Sequence, residues 1–457
     1  MLMKFSVSNF LSFNEQAVLT MHAGKARKFG DRVYNDKKNK LTKIKTIFGA
    51  NGSGKSNLIL SLNFMRDLVL DGLPRGFSNK YFRFNSEMKY SPSSFYVDIL
   101  IDECTYTYGF DILLAEGKVL TESLYAGSGN DKQKLIFKRN TETESFELGN
   151  YFKNDNAFIR LNFYGEDSSN VKDKLFLTII NESKGKLFTD FPELAVLKNI
   201  YEWFQMTLNI SFPNNVLTGY PLFTKANITD ISNLLNALGT GINELKIIEV
   251  SPDAIQNKIP TNLYNKVIED LEKANMNREN YTDGENPTIM LRSYKEFFTF
   301  EIEADNNIKI TTVEFNHGNE DIYFDLNEES DGTVRILDLI EILFHLNDNR
   351  VFVIDEIDRC LHPAMTVKII ELFLELAKKR NTQLIITTHE SRLLAAEILR
   401  NDEICFVNKN HSGASELCQL EKIQLRSDKK VYAALFDGTI DSIPKFDDKG
   451  LNKFLKI

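Results

Sequence analysis

The sequence predicts an α/β fold: a mixed sheet with a glycine-rich loop after one of its strands, an antiparallel β-subdomain beside it, and a mainly helical insertion. Three observations predict it. The apolar stretch Ile44 to Phe48 runs into Gly49-Ala50-Asn51-Gly52-Ser53-Gly54-Lys55-Ser56, which fits G-x-x-x-x-G-K-[ST], and then into a helix-like run, Asn57 to Leu62. A second apolar run, Val351-Phe352-Val353-Ile354, ends in Asp355-Glu356. From there strand- and helix-length segments alternate to Val407, in the manner of a doubly wound sheet.

The elements follow in order. Phe5 to Val7, leading into Asn9 to Phe13, and Ala17 to Thr20 read as two strands. The helix behind the glycine-rich loop runs to about Leu70, where Asp71-Gly72-Leu73-Pro74 breaks the pattern. Phe95–Ile101, Thr105–Leu113, Lys118–Tyr125, Lys134–Lys138 and Ser145–Leu148 alternate in strand-length pieces separated by turns such as Gly127-Ser128-Gly129-Asn130-Asp131, an antiparallel meander. Helical apolar spacing follows in Lys174–Asn181, Glu193–Met206, Ile228–Leu238 and Leu263–Ala274, with no sustained heptad. Strands return at Thr288–Arg292, Phe297–Glu303, Ile308–Val313 and Ile322–Leu326, ahead of an apolar helix from Thr333 to Leu346. Helix Pro363–Lys379, strand Leu384–Thr388, helix Ser391–Leu399 and strand Glu403–Val407 complete the alternation, before one more helix-like run and a tail. The expected division is 1–155 and 288–457 as two parts of one domain, with 156–287 inserted between them.

Composition bounds the function classes. The 457 residues have room for two or three domains, or one large domain with an insertion. A net charge of −9 gives no global pull towards nucleic acid or anionic membrane, which leaves only a local basic patch as a route to either. The first seven residues lack a signal pattern, and no run of 18 apolar residues occurs, so a cytoplasmic protein without a membrane segment is expected. Cys104, Cys360, Cys405 and Cys418 show no metal spacing and are expected to be buried free thiols in a reducing compartment.

The loop at 49–57 carries the first chemistry. Glycines let backbone N–H groups turn inward around a polyphosphate, with the positive end of a helix behind them. Gly49, Asn51, Gly52, Ser53, Gly54, Lys55, Ser56 and Asn57 are the candidate set for binding a nucleoside triphosphate. Lys55 can reach the β- and γ-phosphates and the Ser56 hydroxyl can ligate Mg²⁺. An unalternating run such as Val351–Ile354 fits a parallel strand covered on both faces, which puts Asp355 at its carboxyl end, where open α/β sheets bind ligands. Asp355 is the second candidate Mg²⁺ ligand, and Glu356 is placed to orient or deprotonate an attacking water. Gln383 to Thr388 repeats the pattern and closes on His389, the third candidate at the same sheet edge.

Asp355 stands 300 positions after Lys55, much further than in compact phosphate-loop folds. With the remaining motifs, that arrangement resembles the ABC-type ATPases of the SMC and RecF kind. Asn9-Phe10-Leu11-Ser12-Phe13 is similar to the opening strand of that group, and Glu329-Ser330-Asp331-Gly332-Thr333 to its signature loop. Asp355-Glu356-Ile357-Asp358 is similar to the Walker B acid, catalytic glutamate and D-loop, and His389 to the switch histidine. No glutamine matches the Q-loop residue, and the signature lacks the usual second glycine and glutamine. Within the group the whole chain most resembles ATPases related to the OLD (overcoming lysogenization defect) family of bacterial abortive-infection and phage-defence systems, including the tail Tyr432 to Gly438 with Ile443-Pro444. The resemblance implies an ABC-type head with ATP and Mg²⁺, and Glu356 and His389 in catalysis. It also implies that Ser330 and Gly332 reach the γ-phosphate bound by a facing subunit, and hence a head-to-tail dimer.

Some OLD relatives carry a nuclease domain. Sixty-eight residues follow His389 here and hold no D-x-D pattern after a glutamate-bearing strand; Asp437 and Asp441 read as a solvated turn. Asp230 with Glu244-Leu245-Lys246 could be drawn as a nuclease pattern, but Asp230 reads as a helix cap. Three readings of different classes stand. One is an ATPase sensor and assembly platform in antiphage defence, triggered by a phage protein and controlling a separately encoded nuclease or toxin. The second is an SMC/RecF-like DNA-binding ATPase of repair or recombination. The third is a nucleotide-dependent binding module with negligible turnover.

Overall fold

The computed structural model describes residues 1–25, 28–36, 38–127, 133–152, 155–182, 185–213, 227–256, 258–276, 286–292, 296–303, 305–319, 321–344, 349–423, 431–436 and 454. The expected turn at 128–131, the last two residues of the apolar helix, Asp437, Asp441 and the tail from Asp437 through Pro444 lie outside them. The chain forms two compact units: Met1–Ile210 with Asn347–Ile357 and Leu374–Ile457, and Ser211–Leu346 with Asp358–Phe373.

The first unit contains two large sheets. In the antiparallel one the order is Ser145–Leu148, Lys134–Asn140, Lys118–Ala126, Cys104–Leu113, Ser93–Ile101, Leu2–Ser8, Ala17–Thr20, so the expected meander is joined by the opening strands. The opening strand stops at Ser8 instead of running through Phe13. Asn9 and Leu11 take positive φ, which no strand accommodates. The Asn9 side-chain amide donates to the Met88 and Ser91 carbonyls while its Oδ1 accepts from Phe82 N–H, fixing the reversal. Phe10, Phe64, Phe95 and Phe110 follow with ring centroids 5.1–5.3 Å apart, so Phe64 fastens helix Lys55–Asp71 to this sheet.

The second sheet runs Leu208–Ser211, Val351–Ile354, Gln383–Thr387, Ile44–Phe48, Ile404–Lys409, Ser415–Gln419. Pairing is parallel from Val351–Ile354 through Ile404–Lys409, and antiparallel at the final strand. Val351–Ile354, Gln383–Thr387 and Ile44–Phe48 are buried at every position, as strands covered on both faces must be. The expected helix at 391–399 shortens to Arg392–Ala395, because Glu397 adopts φ 53°.

Helices Asp155–Ser168, Phe176–Asn181 and Ala195–Glu202 belong to this unit. A buried polar group ties the first two of them to the antiparallel sheet. Arg139 and Glu122 pair at 3.1 Å with no exposed side-chain surface. Glu122 accepts from the Phe176 and Leu177 N–H groups and the Tyr108 hydroxyl. Arg139 donates to the carbonyls of Ser168, Val171 and Lys174. Each charge is hydrogen-bonded as well as paired, which offsets its desolvation.

The second unit is built on an antiparallel sheet in the order Glu244–Glu249, Ile308–Asn316, Phe297–Ile302, Thr288–Arg292, with Tyr323–Asp325 against Ile308–Asn316. Its strands alternate. Leu245, Val313 and Phe315 pack with Ile231, Leu235, Leu337 and Ile340 of helices Ile228–Ala237 and Asp331–Phe344. Phe298, Phe300 and Ile310 pack with Val267 and Leu271 of helix Thr261–Met276. One sheet thus supports two cores, one per face. The sequence expectation placed no strand at 244–249, where Glu244, Lys246 and Glu249 are exposed and Leu245 alone is fully buried.

The cysteine expectation is corrected. All four are free, but only Cys405 is buried; Cys418 is half-buried, and Cys104 and Cys360 are exposed. Among the described residues no helix is long and apolar enough to cross a membrane.

Candidate functional site

Three adjacent parallel strands end side by side. In register, Ile354 pairs with Ile386, Ile386 with Thr46 and Thr387 with Ile47. The carboxyl ends therefore bring Gly49–Asn57, Asp355-Glu356 and His389 to one edge of one sheet, with Ile44–Phe48 and Val351–Ile354 on either side of Gln383–Thr387.

The loop itself is shaped around its glycines. Gly54 sits at φ 114°, and a Cβ there would overlap Ser415 Oγ and stand 2.8 Å from Ser12 Oγ. At Gly49 a Cβ would overlap the Val407 carbonyl oxygen. Lys55 is buried and its ammonium donates to the Gly49 carbonyl at 2.7 Å and the Ala50 carbonyl at 3.2 Å, so its charge is turned into the loop. Ser53 Oγ is buried without a hydrogen-bond partner among the described residues. Inward cation, buried hydroxyl and helix N-terminus together fit a polyphosphate.

The acidic strand end is held by a residue the sequence reading missed. Thr387 is fully buried; its hydroxyl donates to Asp355 Oδ1 at 2.5 Å and accepts from Glu356 N–H at 2.8 Å. Its carbonyl accepts from Ile357 N–H at 3.1 Å. One threonine thus fixes both acids. Asp355 is buried and Glu356 half-buried at φ 49°, a left-handed conformation that costs a non-glycine residue about 1–2 kcal/mol. Thr388 N–H donates to the Ile47 carbonyl, locking the third strand end to the loop strand, and His389 beyond it is exposed.

Ser12 and Ser415 were also missed. Asn57 Nδ2 donates to Ser12 Oγ at 2.8 Å, so the Asn57 amide holds the opening loop in place. Ser415 Oγ lies 2.8 Å from Ser12 Oγ and 2.6 Å from the Ser53 carbonyl. The only sequence signal was a small polar residue at each position, which is no signal at all.

Ser330 and Gly332 lie in the second unit, at the start of helix Asp331–Phe344. The Ser330 hydroxyl accepts from Thr333 N–H at 3.1 Å and lies 2.9 Å from Thr333 Oγ1, an N-cap arrangement on an exposed residue. Capping uses one lone pair. The adjoining Glu329 carboxylate is buried and meets His317 Nε2 at 2.7 Å, and His317 Nδ1 faces the Gly241 carbonyl at 3.2 Å. A Cβ on Gly332 would stand 3.0 Å from the Cys360 carbonyl oxygen.

Among the described residues no group of three or more His, Cys, Asp or Glu could hold a metal ion. Glu244 bonds the Tyr323 hydroxyl and Lys246 lies over the Tyr323 ring, so that stretch is occupied in strand pairing and surface contacts.

A family model described as "AAA domain, putative AbiEii toxin, Type IV TA system" matches residues 46–170 and 198–395, more than half of the chain. No curated protein matches it. Similar solved structures include an SMC head bound to the C-terminal winged-helix domain of ScpA, at 15% identity and TM-score 0.40 over 91% of this chain and 96% of that one. The SMC head domain from Thermotoga maritima is 12% identical, with TM-score 0.33 over 92% and 98%. An Smc head with an extended coiled coil, bound to the C-terminal domain of ScpA derived from Pyrococcus furiosus, is 14% identical, with TM-score 0.35 over 92% and 97%. The α/β assignment rests on the sheet topology itself.

Proposed function

The chain belongs to the AAA-domain family described as putative AbiEii toxin of a type IV toxin–antitoxin system, and from that membership we propose that it is a cytoplasmic ATPase of ABC type, related to the OLD family. We propose further that it serves bacterial antiphage defence as a sensor and assembly platform. One observation carries the ATPase reading: Gly49–Ser56, Asp355-Glu356 and His389 follow adjacent parallel strands at one edge of one sheet.

In this reading the loop N–H groups and Lys55 hold the β- and γ-phosphates. Ser56 and Asp355 hold Mg²⁺, whose chemistry when bound is to neutralise charge on the phosphate oxygens. Glu356 accepts the proton of the attacking water, and His389 orients the γ-phosphate end from the neighbouring strand. Thr387 keeps Asp355 and Glu356 in a fixed relation. Ser330 hydroxyl and Gly332 N–H of a second subunit close the site, with the helix N-terminus behind them favouring negative charge. ATP binding then joins two subunits head to tail, and hydrolysis releases them. The helical insertion at 156–287, the part that the ATPase chemistry does not need, recognises a phage protein and a separately encoded nuclease or toxin.

Glu356→Gln tests the core of this. The purified variant is expected to accumulate as an ATP-bound dimer, read by light scattering, with turnover abolished. Wild-type turnover by the variant overturns the role of Glu356. Salt-dependent binding of duplex DNA by the wild-type protein would move the assignment from defence to repair.

A further inference from the structure

The loop at 49–57 offers donors to phosphate and nothing that reads a base. The groups that hold that loop in place include an exposed aromatic ring. Phe84 is 71% exposed. Its ring lies 5.7 Å from that of buried Phe82, tilted by 31°, and the Lys409 ammonium is 5.6 Å from its centroid. Gly413, at φ 77°, brings a bare backbone against the ring edge; a Cβ there would stand 3.2 Å from it. Phe84 therefore packs on Phe82 and Gly413 along part of its ring, unlike a lone surface apolar residue.

What it packs on also fixes the phosphate loop. Lys409 and Gly413 belong to the hairpin whose Val407 carbonyl abuts Gly49 and whose Ser415 hydroxyl donates to the Ser53 carbonyl. On the other side, Phe82 N–H donates to Asn9 Oδ1, and the same opening loop carries Ser12, which joins Asn57 to Ser415. The ring thus sits on both loops that flank the phosphate site, with most of its surface turned to solvent. Every base has a π-face that stacks on such a ring.

We propose that the exposed face of Phe84 is the platform on which the base of the bound nucleoside triphosphate stacks, beside the Lys409 ammonium. The inference rests on the triphosphate reading of Gly49–Ser56 and names its missing subsite. Stacking tolerates any base, so it adds affinity with little discrimination between adenine and guanine.

Calorimetric titration of the full chain with Mg·ATP and with inorganic tripolyphosphate separates the two claims. Phe84→Ala is expected to weaken ATP roughly tenfold, as loss of one base–aromatic stack does, and to leave tripolyphosphate unchanged. Phe84→Trp is expected to keep the ATP affinity. Equal ATP-to-tripolyphosphate affinity ratios in wild type and Phe84→Ala overturn the platform alone. Wild-type protein that binds neither ligand overturns the triphosphate reading and the platform with it.

Discussion

At the scale of single residues, Lys55 and Thr387 make the sharpest contrast. Lys55 is legible because its motif is local: glycines, lysine and serine lie within eight positions, and their geometry follows from the chain itself. Lys55→Ala is expected to abolish nucleotide binding, as calorimetry will show. Thr387 gave no warning, because its partners lie 31 and 32 positions away and only the parallel register brings them together. Thr387→Val removes that donor from Asp355 and that acceptor from Glu356 N–H. ATP turnover is expected to fall about 10–100-fold, the effect typical of a lost partner behind a metal-binding carboxylate, with ATP affinity little changed. Thr387→Ser should restore most of it, and failure of that rescue would argue for a packing effect. At Gly54, φ 114° and the overlap with Ser415 predict that Gly54→Ala loses binding even with Lys55 intact.

Elements depend on pairings that composition does not reveal. The strands of the meander are legible from alternation, yet the Arg139–Glu122 pair that ties helices to them is not, since each charge taken alone reads as surface. Arg139→Met is expected to destabilise the fold by about 3–5 kcal/mol, because Glu122 is left buried with an uncompensated charge; chemical denaturation measures it. A second buried group lies near the amino end of strand Ile404–Lys409. Glu403 Oε2 accepts from Arg400 N–H at 2.8 Å and stands 3.6 Å from the Arg32 guanidinium. Burial pushes its carboxyl up to about 7, against the pull of Arg32. The folded state therefore favours the neutral acid. Its contribution is fully present below about 4.5 and is lost as pH rises through 7. Relative to Glu403→Gln, the wild type is expected to lose urea resistance between pH 5 and 8. A constant difference across that range would contradict it.

For the whole molecule, the proposed dimer makes a prediction that no single-chain site can mimic. Ser330→Arg and Lys55→Ala should each be inactive, the first while still binding ATP. Mixed together they should regain turnover, because one of the two composite sites then holds an intact loop from one subunit and an intact signature from the other. No recovery on mixing would refute the shared site. The sequence alone determined the α/β class, the strands at 44–48, 351–354 and 384–388, and the candidate residues at their ends, because unbroken apolar runs and short motifs are written within a few residues. Only the tertiary structure decided in which order and register those strands pair, that Thr387, Ser12 and Ser415 brace their ends, and that residues 244–249 join a sheet. These are relations between segments up to 403 positions apart. Hydrogen bonds and burial at that range are fixed by packing, which local propensity does not encode.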